Sequence, residues 1–357
     1  MHGSPSNRTE MDSIDRELLN LIQTDFPLVA RPYAALGERL GIPEAEAIER
    51  TARLKEDRVI REISAIFDSA RLGYRSVLVA LEVPDCRLLE VGRAVAAQQG
   101  VSHCYARDHR YNLWFTLTVP PEEDPAATAR RLQGEAAVER MLVLPALRRF
   151  KIGVSFDLET GAGGSPLVSN GWSSSTSSPV ASGGDGQHRH DTDPPEGQQG
   201  HLTDLDRRLV LELQKDLPTE PRPFSEAARR LDMEESALLE EARRLLRQGT
   251  MRRFAAVLRH RVAGFLGNGM SCWIVPPDRV EEVGRAMAGW PAVTHCYERP
   301  TYPDWPYNLF GMLHARTKEK CLAEAAALAA HLQLVDYVVL FSHHEFKKER
   351  VRYFQAA

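Results

Sequence analysis

Between Ile14 and Gln23 the apolar residues of "IDRELLNLIQ" recur three and four positions apart, the spacing of one buried helical face. The segments "YAALGERLGI" and "PEAEAIERTARLKEDRVI" keep that period, and Pro43 suits the opening of the third helix. Three short amphipathic helices in succession predict a helix-turn-helix unit. The period then drops to two, and "IREISAIF" predicts a wing strand. Next come "RSVLVALEVP" as a strand, "LLEVGRAVAAQQG" as a helix stopped by Gly100, "VSHCYAR" and "YNLWFTLTVP" as strands, "AATARRLQG" as a helix and "ERMLVLPALRRFKIG" as a last strand. This order, βαββαβ, is that of a ferredoxin-like sandwich.

The whole pattern occurs twice. "IDRELLNLIQTDFPLVARPYAALGERLGI" at Ile14 runs parallel to "LDRRLVLELQKDLPTEPRPFSEAARRLDM" at Leu205, an offset of 191 that becomes 192 where His103 meets His295. A four-residue insertion within "PTYPDWP" then separates the copies before Tyr111 meets Tyr307. Between the copies, residues 161–200 are rich in Gly, Ser and Pro and lack apolar periodicity, so burial cannot offset their ordering entropy and a flexible linker is expected. The fold class is therefore α+β in two tandem halves. Residues 1–10 read as a tag or unstructured lead, 11–60 and 201–251 as helix-turn-helix domains, and 61–160 and 252–357 as ferredoxin-like domains.

Composition narrows the function. The 357 residues, 43% hydrophobic and 26% charged, suffice for two or more cored domains. No apolar run approaches the roughly 18 to 20 residues of a membrane span, and the N-terminus lacks a signal-peptide centre, so a cytoplasmic protein is expected. Five scattered cysteines show neither CxxC nor Cys/His ligand spacing, which argues for structural thiols and no dedicated metal site. His188 and His190 fall in the linker and are read as solvated. A net charge of −4 lacks the basic excess usual in nucleic-acid binders.

The segments "IDRELLNLIQTD" and "RLKEDRVIREISAIFD", with the βαββαβ order after them, resemble the Lrp/AsnC regulators over nearly all of both halves. The resemblance implies pairing of the two halves through their sheets, and association of further copies is compatible with it. The helix that would enter the major groove departs from that pattern. It opens Pro43-Glu44-Ala45-Glu46 and continues to Glu49, and its second copy carries Glu234, Glu235, Glu240 and Glu241. Carboxylates repel phosphate, so DNA binding is not expected. Acids also suit a helix N-terminus on structural grounds alone.

A closer resemblance rests on "RDHRYNLWFTL" with "RRFKIGVSFD" in the first half, and on "HCYERPTYPDWPYNLFGMLHA" with "HHEFKKERVRYF" in the second. These look like the two different subunits of siroheme decarboxylase joined in one chain. The resemblance implies removal of the C12 and C18 acetate carboxylates of siroheme, giving 12,18-didecarboxysiroheme for haem d1 or alternative haem biosynthesis. It implies no organic cofactor, because the iron arrives with the substrate. The other readings are a regulator or tetrapyrrole sensor, and a carrier without catalysis.

Such a reaction needs an acid near each acetate and partners for the remaining carboxylates. Histidine suits the first task, with a pKa of about 6.5. His103, His109, His295 and His314 are the candidates, and each has a bland alternative as a packing or loop residue. A histidine is also a candidate axial ligand to the substrate's iron, and proton donor and ligand are competing jobs for one ring. For the carboxylates, Arg107, Arg110 and Arg299 lie in the duplicated motif, with Arg148, Arg149, Lys151, Lys347 and Lys348 on the last strands. Tyr111, Tyr297, Trp305 and Tyr307 offer aromatic walls, joined by Trp114 and Phe310. Asn112 and Asn308 complete the substrate-binding set, although Tyr-Asn in both halves equally fits a hairpin register device. His314 has Thr118 as its counterpart, so the halves are not equivalent. Adjacent His343 and His344 point to opposite faces of a strand, and at most one of them faces a pocket.

Overall fold

The computed structural model describes residues 11–152, 155–156, 163–164, 202–258 and 267–355. The expected lead at 1–10, nearly all of the expected linker with His188 and His190, and also His201 and His260, lie outside the described residues. The first half begins with α1 (Ser13–Thr24), α2 (Pro32–Leu40) and α3 (Glu44–Glu56). Asp12 caps α1 in a reciprocal capping box with Asp15, and α2 stops at Gly41, whose φ of 68° favours glycine. Strand β1 (Ile60–Phe67) follows, then β2 (Arg75–Glu82), α4 (Leu88–Ala97), β3 (Val101–Arg107), β4 (Leu113–Val119), α5 (Pro125–Glu135), β5 (Arg140–Pro145) and β6 (Arg148–Ile152). A two-stranded pair, β7 (Ser155–Phe156) and β8 (Gly163–Gly164), comes next.

The second half repeats the series as α6 (Asp204–Leu213), α7 (Ser225–Arg230), α8 (Glu235–Arg247), β9 (Met251–Leu258), β10 (Gly267–Trp273), α9 (Val280–Gly289), β11 (Val293–Glu298), β12 (Leu309–Ala315), α10 (Lys318–Leu332) and β13 (Tyr337–Lys348). Among the described residues no helix is long and apolar enough to cross a membrane.

The sheets do not stop at the boundary between halves. Their joint order is β5-β2-β4-β3-β13-β10-β12-β11-β6, and the two outermost strands are consecutive in the chain. The segment expected as one strand from Glu139 to Gly153 is thus two strands. β5 pairs with β2 of its own half, whereas β6 pairs with β11 of the other. Pro145, which has no N–H to donate, ends the first ladder. In the second half β13 makes the same transfer without a break: Tyr337–Phe341 pair with β10, and Ser342–Lys348 pair with β3 across two register shifts.

Each transferred strand presses an aromatic ring onto a helix of the other half. A Cβ on Gly92 of α4 would lie 2.2 Å from the Phe346 ring, and one on Gly284 of α9 would lie 2.4 Å from Phe150. Only glycine fits at either place.

Apolar faces follow from alternation. In β3, Val101, Cys104 and Ala106 pack toward α4 and α5, which leaves His103, Tyr105 and Arg107 on the opposite face. The face between the two sheets is filled by Ala80, Tyr111, Trp114, Leu142, Met270, Cys272, Trp305, Phe310 and Leu340. Both helix-turn-helix units share one further core, joined by the antiparallel β1–β9 ribbon. Ile63, Phe67, Met251 and Phe254 of the ribbon belong to that core, so by packing the ribbon goes with the helices. The C-terminal residues return to the same core, where Tyr353 is buried and its hydroxyl meets Ser69 Oγ at 2.7 Å.

Candidate active site

Strands β3 and β11 place His103 and His295 at equivalent positions on the faces turned away from the helices. In each case the preceding hydroxyl residue holds the ring. Ser102 Oγ lies 3.0 Å from His103 Nδ1, and Thr294 Oγ1 lies 3.0 Å from His295 Nδ1. Burial pushes the His103 pKa down to about 4, helped by the charges of Lys348 and Arg61 and, once it is protonated, by His295. Burial also pushes His295 to about 4, with Lys151 adding to the effect. Both rings are therefore neutral near pH 7, with Nδ1 engaged and Nε2 without a protein partner among the described residues.

Cations surround them. Lys348 pairs in register with His103, whereas Lys151 pairs with Cys296 and donates to the Trp290 carbonyl at 3.5 Å, close enough for its charge to be felt at His295. Arg149, one turn of the pleat away, sits within the field of Tyr297 and Asp68. His314 is buried on β12, on the same face as Met312, which pairs with His295. Ser76 and Thr118 meet at 2.8 Å in the corresponding place of the first half. His103, His295, His314, Arg149 and Lys348 thus gather at one end of the sandwich, facing the β1–β9 ribbon. Sequence reasoning missed Arg61, which reaches this end from β1 and donates to the Lys348 carbonyl at 2.9 Å. No local pattern signals it, because the carbonyl it meets lies 287 positions further along the chain.

The other expected residues lie elsewhere. His109 follows β3 at the opposite end, half-buried, with Nδ1 accepting from the Tyr111 N–H at 3.1 Å and its ring edge-on to Trp305 at 5.2 Å. Its pKa is lowered, by burial first and Arg110 second. The Tyr111 hydroxyl donates to Asp304 at 2.8 Å, and Tyr307 packs at 4.8 Å on the buried Trp305. Arg110 is exposed and bound to Glu82 and Asp304. The insertion is therefore a latch between halves: Asp304 also holds Arg140, and the Tyr302 hydroxyl bonds the Val143 backbone.

Asn112 and Asn308 spend their amides on the backbone. Each accepts from and donates to one residue, Val83 in the first half and Val275 in the second, at 2.8 to 2.9 Å. Of the two readings, the register device fits these contacts.

Arg107 and Arg299 are deeply buried, and burial lowers each pKa to about 10. They donate to the Leu340 and Leu144 carbonyls, where β13 and β5 leave their ladders. Tyr297 stacks under Arg299, with the guanidinium carbon 4.9 Å from its centroid. Arg148 is exposed and bound to Glu281 and Glu298, while Lys347 points to the face of Cys104 and pairs with Glu349. His343 and His344 are both exposed, and His344 packs edge-on to Phe346. Among the described residues no His, Cys, Asp and Glu side chains cluster to hold a metal.

The helices that correspond to DNA readers have their arginines occupied. Arg50 binds Asp12, Asp15 and Glu46, Arg53 binds Asp15, and Arg244 binds Asp206 and Glu241. That arrangement leaves those groups committed within the protein.

Comparison with known proteins agrees with this architecture. Residues 15–61 and 206–252 match the siroheme decarboxylase NirDL-like HTH domain, and residues 71–151 and 262–347 match the AsnC-like ligand binding domain. A siroheme decarboxylase of Hydrogenobacter thermophilus is 40% identical across 95% of this chain and 94% of its own. The siroheme decarboxylase NirDL subunit of Paracoccus denitrificans is 34% identical across 95% and 96%. The crystal structure of the siroheme decarboxylase NirDL superposes with a TM-score of 0.70 at 35% identity, covering 96% of this chain and 95% of that one. With relatives matched along nearly their entire length, this chain belongs to the siroheme decarboxylase family, as two tandem AsnC-like halves in a single polypeptide.

Proposed function

We propose that this siroheme decarboxylase, a carboxy-lyase, removes the acetate carboxylates at C12 and C18 of siroheme at the ribbon-facing end of the sandwich, using one histidine for each acetate. The observation that carries the reading is the pair of equivalent, buried, hydroxyl-held imidazoles set among cations. A solved relative in complex with an iron-uroporphyrin III analogue supports a tetrapyrrole as the guest.

In each step the bond between the acetate methylene and its carboxylate carbon breaks, and carbon dioxide departs without the bonding pair. The macrocycle accommodates that pair until a proton completes the new methyl group. His103 and His295 are neutral in the free protein and so cannot donate at once. A substrate with eight carboxylates changes this, because nearby anions favour the imidazolium and raise its pKa toward neutrality. Lys348, Arg149 and Arg61 hold the guest's carboxylates, with Lys151 adding its field from the helix side, while the apolar ring faces sit against the sandwich. His314, found on one side only, distinguishes the two positions and serves as the second acid or the iron ligand at its half. His109, at the far end, is assigned to the latch.

Anaerobic incubation of the purified chain with siroheme, followed by mass spectrometry of the extracted tetrapyrrole, tests the proposal. Loss of two carboxyl groups is expected. Unchanged siroheme, with tight protection of a DNA fragment in parallel, would favour the regulator instead.

A further inference from the structure

The β1–β9 ribbon has a second face whose charges the folding of the helices does not explain. Ile63, Ala65 and Phe67 of β1 and Phe254, Ala256 and Leu258 of β9 point into the helical core. Alternation sends Glu62, Ser64 and Ile66, with Arg253 opposite Ile66, to the other side. The C-terminal segment runs along that side. It leaves β3 where the Glu349 N–H bonds the Ser102 carbonyl at 2.7 Å, one residue from His103. Arg350 Nη1 then donates to Ser64 Oγ at 2.9 Å, and Arg350 and Arg352 both reach Glu62, at 3.4 and 2.8 Å. Arg61 closes the circuit through its bond to the Lys348 carbonyl.

Two guanidiniums, Arg350 and Arg352, therefore share one buried carboxylate, Glu62, while Arg61 and Arg253 lie nearby without one among the described residues. Arg253 has no carboxylate within ion-pair distance among the described residues, and burial lowers its pKa. Arg350 is lowered to about 10, by burial first and with Arg253 and Arg61 contributing. Buried cations without counter-charge are costly to the folded state, and guanidinium forks match carboxylates in geometry.

We propose that Arg61, Arg253 and Arg350 form a carboxylate-binding floor, built from both wing strands and the C-terminal segment, that grips substrate carboxylates not destined for removal. The inference rests on the placement of the substrate beside His103 and His295 proposed above. It makes the ribbon a specificity element: it selects iron tetrapyrroles by the number of their peripheral carboxylates. The floor needs β1 from one half and β9 from the other, so it exists only in the paired molecule.

The test uses the full chain and two probes that differ in charge, iron uroporphyrin with eight carboxylates and iron coproporphyrin with four, each titrated by its Soret absorbance. Wild type is expected to prefer the octacarboxylate. Arg253→Gln and Arg350→Gln are each expected to weaken iron uroporphyrin about tenfold, with a smaller loss for iron coproporphyrin and partial rescue in Arg253→Lys. Arg253→Gln is also expected to leave the melting temperature of the unliganded chain unchanged or raised, since it removes an uncompensated cation. A merely structural arginine would lower it. Equal losses for both probes, or unchanged affinity for iron uroporphyrin, overturn the floor while leaving the histidine site standing. If Arg350→Gln fails to fold, Arg253→Gln carries the test alone. Absence of any Soret change with wild type would instead overturn the site on which the floor depends.

Discussion

The two ends of the paired sandwich differ in what their polar groups are doing. At the end away from the ribbon the halves are tied by answered surface charges and packed rings: Asp304 holds Tyr111, Arg110 and Arg140, and the Trp305 ring is wedged among Tyr111, Trp114 and Tyr307. At the ribbon end two imidazoles are kept neutral, and cations such as Arg61 and Arg253 meet no carboxylate among the described residues. A satisfied network stabilises a fold, and an unsatisfied one awaits a ligand. One motif nonetheless feeds both ends. His103 lies near the start of β3 and His109 just past its end, six residues on, or about 20 Å along an extended chain. Neighbours in sequence are here strangers in space.

The comparison is broken most severely through Trp305, which is fully buried at the latch. Trp305→Ala is expected to cost about 3–5 kcal/mol of stability, as large-to-small core changes of aromatics do. Chemical denaturation would report it, and the surviving folded fraction should still decarboxylate siroheme at near its normal rate. A stable variant with abolished turnover would reverse the roles assigned to the two ends.

Substitution at the other end should show the opposite profile. His103→Ala and His295→Ala are each expected to lower turnover by about 100-fold or more, the usual worth of a positioned acid, with little loss of stability. His109→Ala should change turnover by less than about tenfold. Mass spectrometry of partial products adds detail, since loss of one ring is expected to leave a singly decarboxylated intermediate. Complete product from either variant would remove the one-histidine-per-acetate scheme.

How far these ends were legible beforehand depends on the range of the interaction. Alternation in "VSHCYAR" sorts His103 and Cys104 onto opposite faces with no tertiary information, and the duplicated frame makes His295 its equivalent. Arg61 and Arg350 could not be found that way, because 289 positions separate residues whose association depends on how β13 crosses between halves. The Tyr-Asn pairs and "PDWP" were visible as motifs, yet their contacts are with backbone and with the partner half, so sequence distinguished them without telling stability from chemistry. The backbone contacts of Arg107 and Arg299 were hidden for a related reason. A strand that changes sheets leaves carbonyls unpaired, and only the topology reveals that those guanidiniums answer them.

Acid should also discriminate between the ends. The pKa values of His103 and His295 are about 4 when folded and near 6.5 when unfolded, so between those values the unfolded chain binds more protons. Their contribution is fully present above pH 6.5 and is lost as the pH falls toward 4, at up to roughly 1.4 kcal/mol per pH unit for each ring. Denaturation curves across this window should flatten for His295→Gln. A polyanionic porphyrin should flatten them as well, by raising the folded-state pKa. A wild-type slope untouched by either change would mean the rings are not held neutral.

The smallest expected effect concerns Asp304, whose arms are partly exposed. Exposed ion pairs contribute about 0–1 kcal/mol, and asparagine still accepts the Tyr111 hydroxyl, so Asp304→Asn should lose less than about 1 kcal/mol. Because the lost component is ionic, the difference from wild type should shrink further in high salt, where surface charges are screened. Turnover and iron uroporphyrin binding should stay within about twofold, a margin far below the effect assigned to any residue near the ribbon. A loss of affinity that deepens as the porphyrin gains carboxylates would place a substrate edge at the latch, and the division of labour between the two ends would have to be redrawn around a guest that touches both.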